Sequence, residues 1–309
     1  MHGPVEPPRA GKPARARQAM RWSDLRVRVV SAVILAPLVL AVLWFGGAPF
    51  VVMLALAALV LSSEWVALCG VPRFAPAALA VPVSLLTAGA ATVLDQPVAG
   101  LSLLAVGAGV ALLLAHAAPY RLRLAAGIPY LGLPIVALLW LRADPAAGRA
   151  NVLFIMLLVW SSDIGAYLAG RLIGGRRLAP RISPGKTWSG AVGGLAAAAL
   201  AGFAIGAVIA GFPLGGLPAT SPPAEWLSAI DLPSQAALAA AAVAALLGIV
   251  GQAGDLLESA LKRRFGVKDS GRLIPGHGGL LDRIDAVLAV APVAACLALA
   301  AGRGVVLWL

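Results

Sequence analysis

Five of the chain's 13 acidic residues, Asp255, Glu258, Asp269, Asp282 and Asp285, fall close together, within about thirty residues where an even scatter would place roughly one. Among them stand Lys262, Arg263, Arg264, Lys268, Arg272 and Arg283. On a helix, Asp255, Glu258, Ser259 and Lys262 occur at i, i+3, i+4 and i+7 and share one face; Asp282 and Asp285, at i and i+3, share another. The intervening GRLIPGHGG has the Gly and Pro content of a chain that bends back sharply, which would bring Asp255 towards Asp282. Two converging carboxylates need a cation, a shared proton or a base between them, and hard oxygen ligands beside phosphate favour Mg²⁺. Arg offers forked donors to phosphate oxygens and Lys a point charge, while the amides of Gly276, Gly278 and Gly279 can approach an anion with no Cβ in the way. Acids that hold metal beside bases that hold phosphate point to phosphoryl or nucleotidyl transfer. The competing reading is a structural ion-pair network at a helix boundary.

A second polar island, SSDIGAYLAGRLIGGRRLAPRISPGKTWSG (Ser161 to Gly190), places Asp163 inside an apolar run, where an ionisable side chain is costly and is a functional candidate by default. Asp163, Tyr167 and Gly170, at i, i+4 and i+7, share a helix face. SPGKT is not a P-loop, because Pro180 occupies the position of the leading Gly and no strand is read before it. Lys186 and Thr187 can still meet a phosphate at the start of the following helix. Glu64, in SSEW, either lines the same cavity or pairs with a basic loop. His277, in the glycine-rich bend, suits phosphate binding better than nucleophilic attack, and His116 reads as structural. Cys69 and Cys296 have no partner at metal or disulfide spacing, and no Ser-His-Asp, Cys-His or H-E-x-x-H arrangement is present.

The elements that must position these groups are membrane helices. In 309 residues, 61% are hydrophobic and 12% charged, and the mean hydropathy is +0.93, too apolar for a water-soluble fold. Apolar runs long enough to cross about 30 Å of hydrocarbon recur at 28–46, 49–70, 75–94, 98–118, 124–141, 151–170, 188–211, 236–254 and 286–309. They lack period-two alternation, so the expected fold is an all-α integral membrane protein of about nine transmembrane helices. Residues 1–27 read as a disordered, basic cytoplasmic arm near anionic lipid, 28–141 as N-terminal helices, and 151–309 as a catalytic region with polar loops at 171–187 and 255–285. Nearly all loop Lys and Arg fall on the side of that arm, and the opposite loops carry Arg142 and Arg149. This predicts a cytoplasmic N-terminus, an extracytoplasmic C-terminus and a cytoplasmic active site in a bacterial-type plasma membrane. Segment 212–235 reads as an extracytoplasmic loop without chemistry, and the Ala-rich stretches 190–210 and 236–245 as close helix packing. The net charge of +11 is explained by topology; no nucleic-acid module is present.

At Ser259, Lys262, Arg263, Lys268, Asp269, Pro275, His277, Gly278, Gly279, Asp282, Arg283 and Asp285 the chain fills every fixed position of the pattern S-x-x-K-R-x4-K-D-x5-P-x-H-G-G-x-x-D-R-x-D. In this it resembles the phosphatidate cytidylyltransferase, or CDP-diacylglycerol synthase, family. The polar island around Lys186 is similar to the family's other polar segment, although Gly185 and Ser189 stand where the family commonly has Lys and Glu. The resemblance covers roughly the C-terminal half; the N-terminal spans agree only in being hydrophobic. It implies formation of CDP-diacylglycerol and pyrophosphate from CTP and phosphatidic acid at the bilayer surface. It also implies Mg²⁺, with K⁺ as an optional assisting cation, metal-binding aspartates at Asp255 and Asp282 with Asp285 beside them, and a homodimer as a family expectation. Catalytic roles then fall to Asp255, Lys262 and Asp282, and substrate binding to Ser259, Arg263, Lys268, His277, Gly278, Gly279, Arg283, Lys186 and Asp163. A cytidylyltransferase for another lipid phosphate, a cation-coupled transporter and a lipid-binding scaffold are the alternatives.

Overall fold

A computed structural model describes residues 33–210, 235–271, 278–302 and 306–307. The arm 1–27, nearly all of segment 212–235, and Arg272, Pro275, Gly276 and His277 lie outside the described residues. Helices dominate because each pairs its own backbone groups, which lipid cannot do for it. In chain order they are α1 (Val33–Phe45), α2 (Gly47–Leu68), α3 (Pro76–Val93), α4 (Pro97–Leu114), α5 (Arg121–Ala143), α6 (Gly148–Leu172), α7 (Trp188–Ala210), α8 (Gln235–Arg264) and α9 (Leu281–Ala301). Among the described residues eight of these, α2 to α9, are long and apolar enough to span a membrane; α1, in the first expected span, is shorter.

Helices α2 to α5 pack together around Leu61, Leu85, Leu124, Ile128 and Leu131, all almost fully buried. Helices α6, α7 and α8 form a second group, and α9 joins the two by packing on both α8 and α5. Within the second group the backbones meet at small residues. A Cβ added to Gly165 of α6 would stand 2.4 Å from Ala197 Cβ, and one on Gly193 of α7 would stand 2.2 Å from Ala169 Cβ. Between α7 and α8, Gly202 is as close to Ala244, and between α8 and α9 Gly254 lies against Ala289. Lipid tails are as apolar as Leu, so close van der Waals approach holds these helices together, as the Ala-rich stretches implied.

Two elements differ from the sequence expectation, both in the polar segments. SPGKT is itself a strand: β1 (Arg177–Ala179) and β2 (Ser183–Thr187) form an antiparallel hairpin with Arg177 opposite Thr187 and Ala179 opposite Ser183. Strands this short carry too little alternation to register in the sequence. Lys186 therefore lies on a strand that precedes α7. Secondly, α8 continues past the end of its apolar run to Arg264, and α9 begins at Leu281, ahead of its apolar run. Hydropathy marks where lipid ends, whereas helix continuation depends on local terms. Here these are the Glu258–Lys262 pair at i,i+4, three bases in the last turn of α8, and Asp282 in the first turn of α9.

Replacing Gly193 by Leu is expected to wedge α6 from α7 and lower stability by about 1–3 kcal/mol, read as a fall in the thermal midpoint in detergent. Gly109→Leu, where open space surrounds the added side chain's Cβ, is expected to leave the midpoint unchanged.

Candidate active site

A cavity of about 400 Å³ lies between α6, β2, α7 and α8. Asp163, Tyr167 and Gly170 reach it together, as their shared helix face requires, and Lys186, Gln252 and Asp255 complete its polar wall. Leu158 and Val159, one turn before Asp163 on α6, and Leu247, two turns before Asp255 on α8, are among its apolar lining. Lys186 Nζ makes an ion pair with Asp255 Oδ2, so the hairpin and α8 hold each other by opposite charge. Asp163 interacts electrostatically with Asp255, Lys186 and Arg283. The hairpin is joined to α7 by Thr187, whose hydroxyl accepts from the Gly190 amide at 3.1 Å, and by Ser189, which donates to the Gly174 carbonyl. Gln252 Nε2 donates to the Ala191 carbonyl at 2.9 Å, closing α8 onto α7.

Below the cavity a second cluster ties α8 to α9. Lys262 Nζ stands 2.7 Å from Glu258 Oε2 and 2.7 Å from Asp282 Oδ1. Asp282 also accepts from the Ser270 and Gly279 amides, each at 3.0 Å. Glu258 is 1% exposed and meets Lys262 as an ion contact off hydrogen-bond alignment; among the described residues its oxygens have no hydrogen-bond donor. One ammonium thus serves two carboxylates in a largely buried site. Asp285 links the two clusters, interacting electrostatically with Asp255, Glu258 and Asp163 while its Oδ1 accepts from the Ala286 amide at 2.8 Å.

The chain does fold back as the Gly- and Pro-rich bend implied, but the aspartate that faces Asp255 electrostatically is Asp285, while Asp282 is engaged with Lys262. Arg263 is exposed and reaches the Ile182 carbonyl at the hairpin tip, 3.3 Å from Nε. Lys268 and Arg283 are exposed and Ser259 is half-buried. Gly278 has φ +86°, a left-handed conformation open to glycine, and a Cβ there would lie 3.0 Å from Asp282 Oδ2. The Gly279 amide is turned to Asp282, and His277 is outside the described residues.

Sequence reasoning gave no site role to Glu258, Gln252 or Ser270, and for Glu64 it weighed a place in the cavity lining, where it is not found, against pairing with a basic loop. For Glu258 the signal was present, since it sits on the Asp255–Lys262 face; for Gln252 and Ser270 nothing in residue type or spacing marked them out. Glu64 of α2 accepts from the Leu280 and Leu281 amides, both at 2.8 Å, and from the Ser270 hydroxyl at 3.3 Å. Its partners are thus backbone and hydroxyl groups of the loop. Burial pushes the thiol of Cys69, beside α2, up to about 11 against the opposing pull of Arg123, the opposite of the shift that activates a thiol.

The donor chemistry of Asp255 and Asp285, two carboxylates that interact electrostatically, fits a hard cation, with one oxygen of each engaged by Lys186 and by the Ala286 amide respectively. Asp282 fits less simply, its oxygens already accepting from Lys262 and two amides. Among the described residues no three acidic, His or Cys side chains stand at ligating distance from a common point.

A model of the cytidylyltransferase family matches residues 26–300. The chain belongs to the cytidylyltransferase family. It is 38% identical over 273 residues to proteins named phosphatidate cytidylyltransferase from Brucella suis biovar 1 and Brucella abortus biovar 1, alignments that cover 87% of this chain and 91% of each relative. A protein of the same name from Pseudomonas aeruginosa is 42% identical over 153 residues, 50% of this chain and 49% of that one. The Brucella alignments correct the expectation that similarity stops at the C-terminal half. In this cytidylyltransferase-family chain the N-terminal helices share in the likeness.

Replacing Lys262 by Met would leave Glu258 and Asp282 facing each other without the ammonium. The expected loss is about 3–5 kcal/mol, seen as a lower thermal midpoint, with partial recovery when Glu258→Gln is added.

Proposed function

We propose that the chain transfers the cytidylyl group of CTP to phosphatidic acid, giving CDP-diacylglycerol and pyrophosphate. The observation that carries this is the grading of the cavity's lining: along α6 it passes from Leu158 and Val159 to Asp163, and along α8 from Leu247 to Asp255, which pairs with Lys186. An apolar end thus leads to a charged one, as suits a charged headgroup whose tails stay in the bilayer. Membership of the cytidylyltransferase family and the names of the Brucella relatives point the same way.

In the reaction a phosphatidate oxygen attacks the α-phosphorus of CTP in line, forming the new O–P bond as the bond to the departing pyrophosphate breaks. A phosphomonoester has its second pKa near ~6 and is largely dianionic at neutral pH, so no strong general base is required. Catalysis then rests on positioning and on relief of charge. Lys262, Arg263 and Lys268, with Arg283 and the Gly278–Gly279 turn, would take the phosphates of the nucleotide, and Ser259 and His277 would add hydrogen bonds. Lys186 and Asp163 would face the lipid phosphate across the cavity. Asp255, Asp282 and Asp285 would hold Mg²⁺, Asp282 while keeping its bond to Lys262; K⁺ is a candidate second cation. Bound Mg²⁺ supplies positive charge to phosphate oxygens.

Nine spans, a cytoplasmic N-terminus and an extracytoplasmic C-terminus would place this face towards cytosolic CTP. The excess of Lys and Arg in the loops that carry the site supports that orientation, and a bacterial inner membrane suits the bacterial relatives.

The test is transfer of radiolabel from CTP into lipid by protein purified in detergent, with phosphatidic acid and Mg²⁺. Wild type is expected to form labelled CDP-lipid, and Asp255→Asn, if it retains the wild-type thermal midpoint, to lose about a thousandfold in rate. Product from a polyprenyl phosphate alone would reassign the lipid. No product with either lipid would sink the enzyme reading in favour of a cation-coupled transporter.

A further inference from the structure

Glu64 lies on α2, in the half of the chain that does not line the cavity, and is 6% exposed. A carboxylate at that depth is expensive unless donors surround it. Among the described residues its donors come from one place, the segment that leads into α9: the amides of Leu280 and Leu281 and the hydroxyl of Ser270. The first amides of a helix have no partner within it, and Leu280, the N-cap residue of α9, has no side-chain acceptor to offer. Glu64 therefore caps α9 from another helix.

The loop is shaped around this carboxylate. A Cβ on Gly271 would stand 2.9 Å from Glu64 Oε1, and a Cβ on Gly279 would stand 2.8 Å from the same oxygen. Ser270 of the loop joins a carboxylate of α2 to one of α9, its hydroxyl on Glu64 and its amide on Asp282. The neighbouring Trp65 holds the loop's other end: its indole meets the Phe265 ring edge-on at 5.7 Å, just after α8, while its Nε1–H donates to the Arg123 carbonyl at 3.1 Å. Two adjacent residues of α2 thus contact both ends of the loop between α8 and α9.

We propose that Glu64 is a positioning residue for the nucleotide side of the site: by holding Ser270 and the Leu280–Leu281 turn, it sets where Asp282, and through it Lys262, meets the phosphates of CTP. The proposal rests on the cytidylyl-transfer reading above. A displacement of about 1 Å in such a constellation is enough to lose up to about 100-fold in rate. Glu64→Gln keeps the size of the side chain but turns an NH₂ group towards donors.

The measurement is steady-state kinetics of Glu64→Gln and Ser270→Ala in detergent, with the thermal midpoint of each and hydrogen exchange at the Leu280 and Leu281 amides. For Glu64→Gln the expected result is a rise of about tenfold in KM for CTP, a fall of about 10- to 100-fold in kcat, and KM for phosphatidic acid within about twofold of wild type, together with faster exchange at the two amides. Ser270→Ala, which keeps every backbone bond, is expected to move KM for CTP in the same direction by about two- to fivefold, and serves alone if Glu64→Gln does not fold. A purely structural role would lower the amount of active enzyme and leave both KM values where they were; that result overturns the proposal. Wild type that forms no CDP-lipid overturns the functional reading and this proposal with it, whereas an active wild type with unchanged KM values in the variants overturns the positioning role alone.

Discussion

Asp282 carries the architecture of the polar face. Its carboxylate takes the ammonium of Lys262 from α8 and two amides, of Ser270 and Gly279, from the loop. A carboxylate so placed is held ionised by several charge-assisted bonds, and each bond fixes a different piece of chain. Helix α8 is tied to α9, and Ser270 and Gly279 of the segment between them are held to the same carboxylate. Lys262 extends the arrangement to Glu258, a side chain that would be intolerable at 1% exposure without an ammonium beside it. Asp285 interacts electrostatically with Glu258 of this knot and with Asp255, whose partner Lys186 lines the cavity with it.

Such a knot requires a rigid frame, and two kinds of packing provide it. Helices α6 to α9 approach at Gly and Ala, so their separation is set by backbone contact, which allows little slack. On the other side the bulky residues of α2 to α5 interlock in an ordinary core, and α2 delivers Glu64 and Trp65 to the loop. Small residues also admit close approach within α2 to α5, as where Gly100 of α4 lies against the Ala88 backbone of α3.

Two features first read as phosphate chemistry have another physical cause in the folded chain. Gly279 has its amide on Asp282 and its missing Cβ against Glu64, so the glycine is required by two carboxylates of the protein itself. Arg263, one of six bases in the charged segment, reaches a carbonyl of the hairpin and helps hold Lys186 in place across the cavity mouth. Both residues thus help to position the polar segments of the protein itself.

The sequence by itself determined the solvent, the helices, the approximate spans and the segment where charge concentrates. Each follows from local quantities: hydropathy over a window, the spacing of residues on a helix, and the rarity of acids in an apolar chain. It also grouped Asp163, Tyr167 and Gly170 correctly, because residues on one helical face stay together whatever the rest of the chain does. Only the tertiary structure decided which charge met which. Lys186 is 69 residues from Asp255 in number, and Glu64 is 217 from Leu281, yet both pairs are in contact. Spacing cannot reveal such pairs, since a buried charge is satisfied by whichever donor the packing of distant helices brings within reach. The hairpin was hidden for a related reason: a few residues of strand hold no periodic signal, and its place is set by Asp255 and Arg263 across the cavity and by the start of α7.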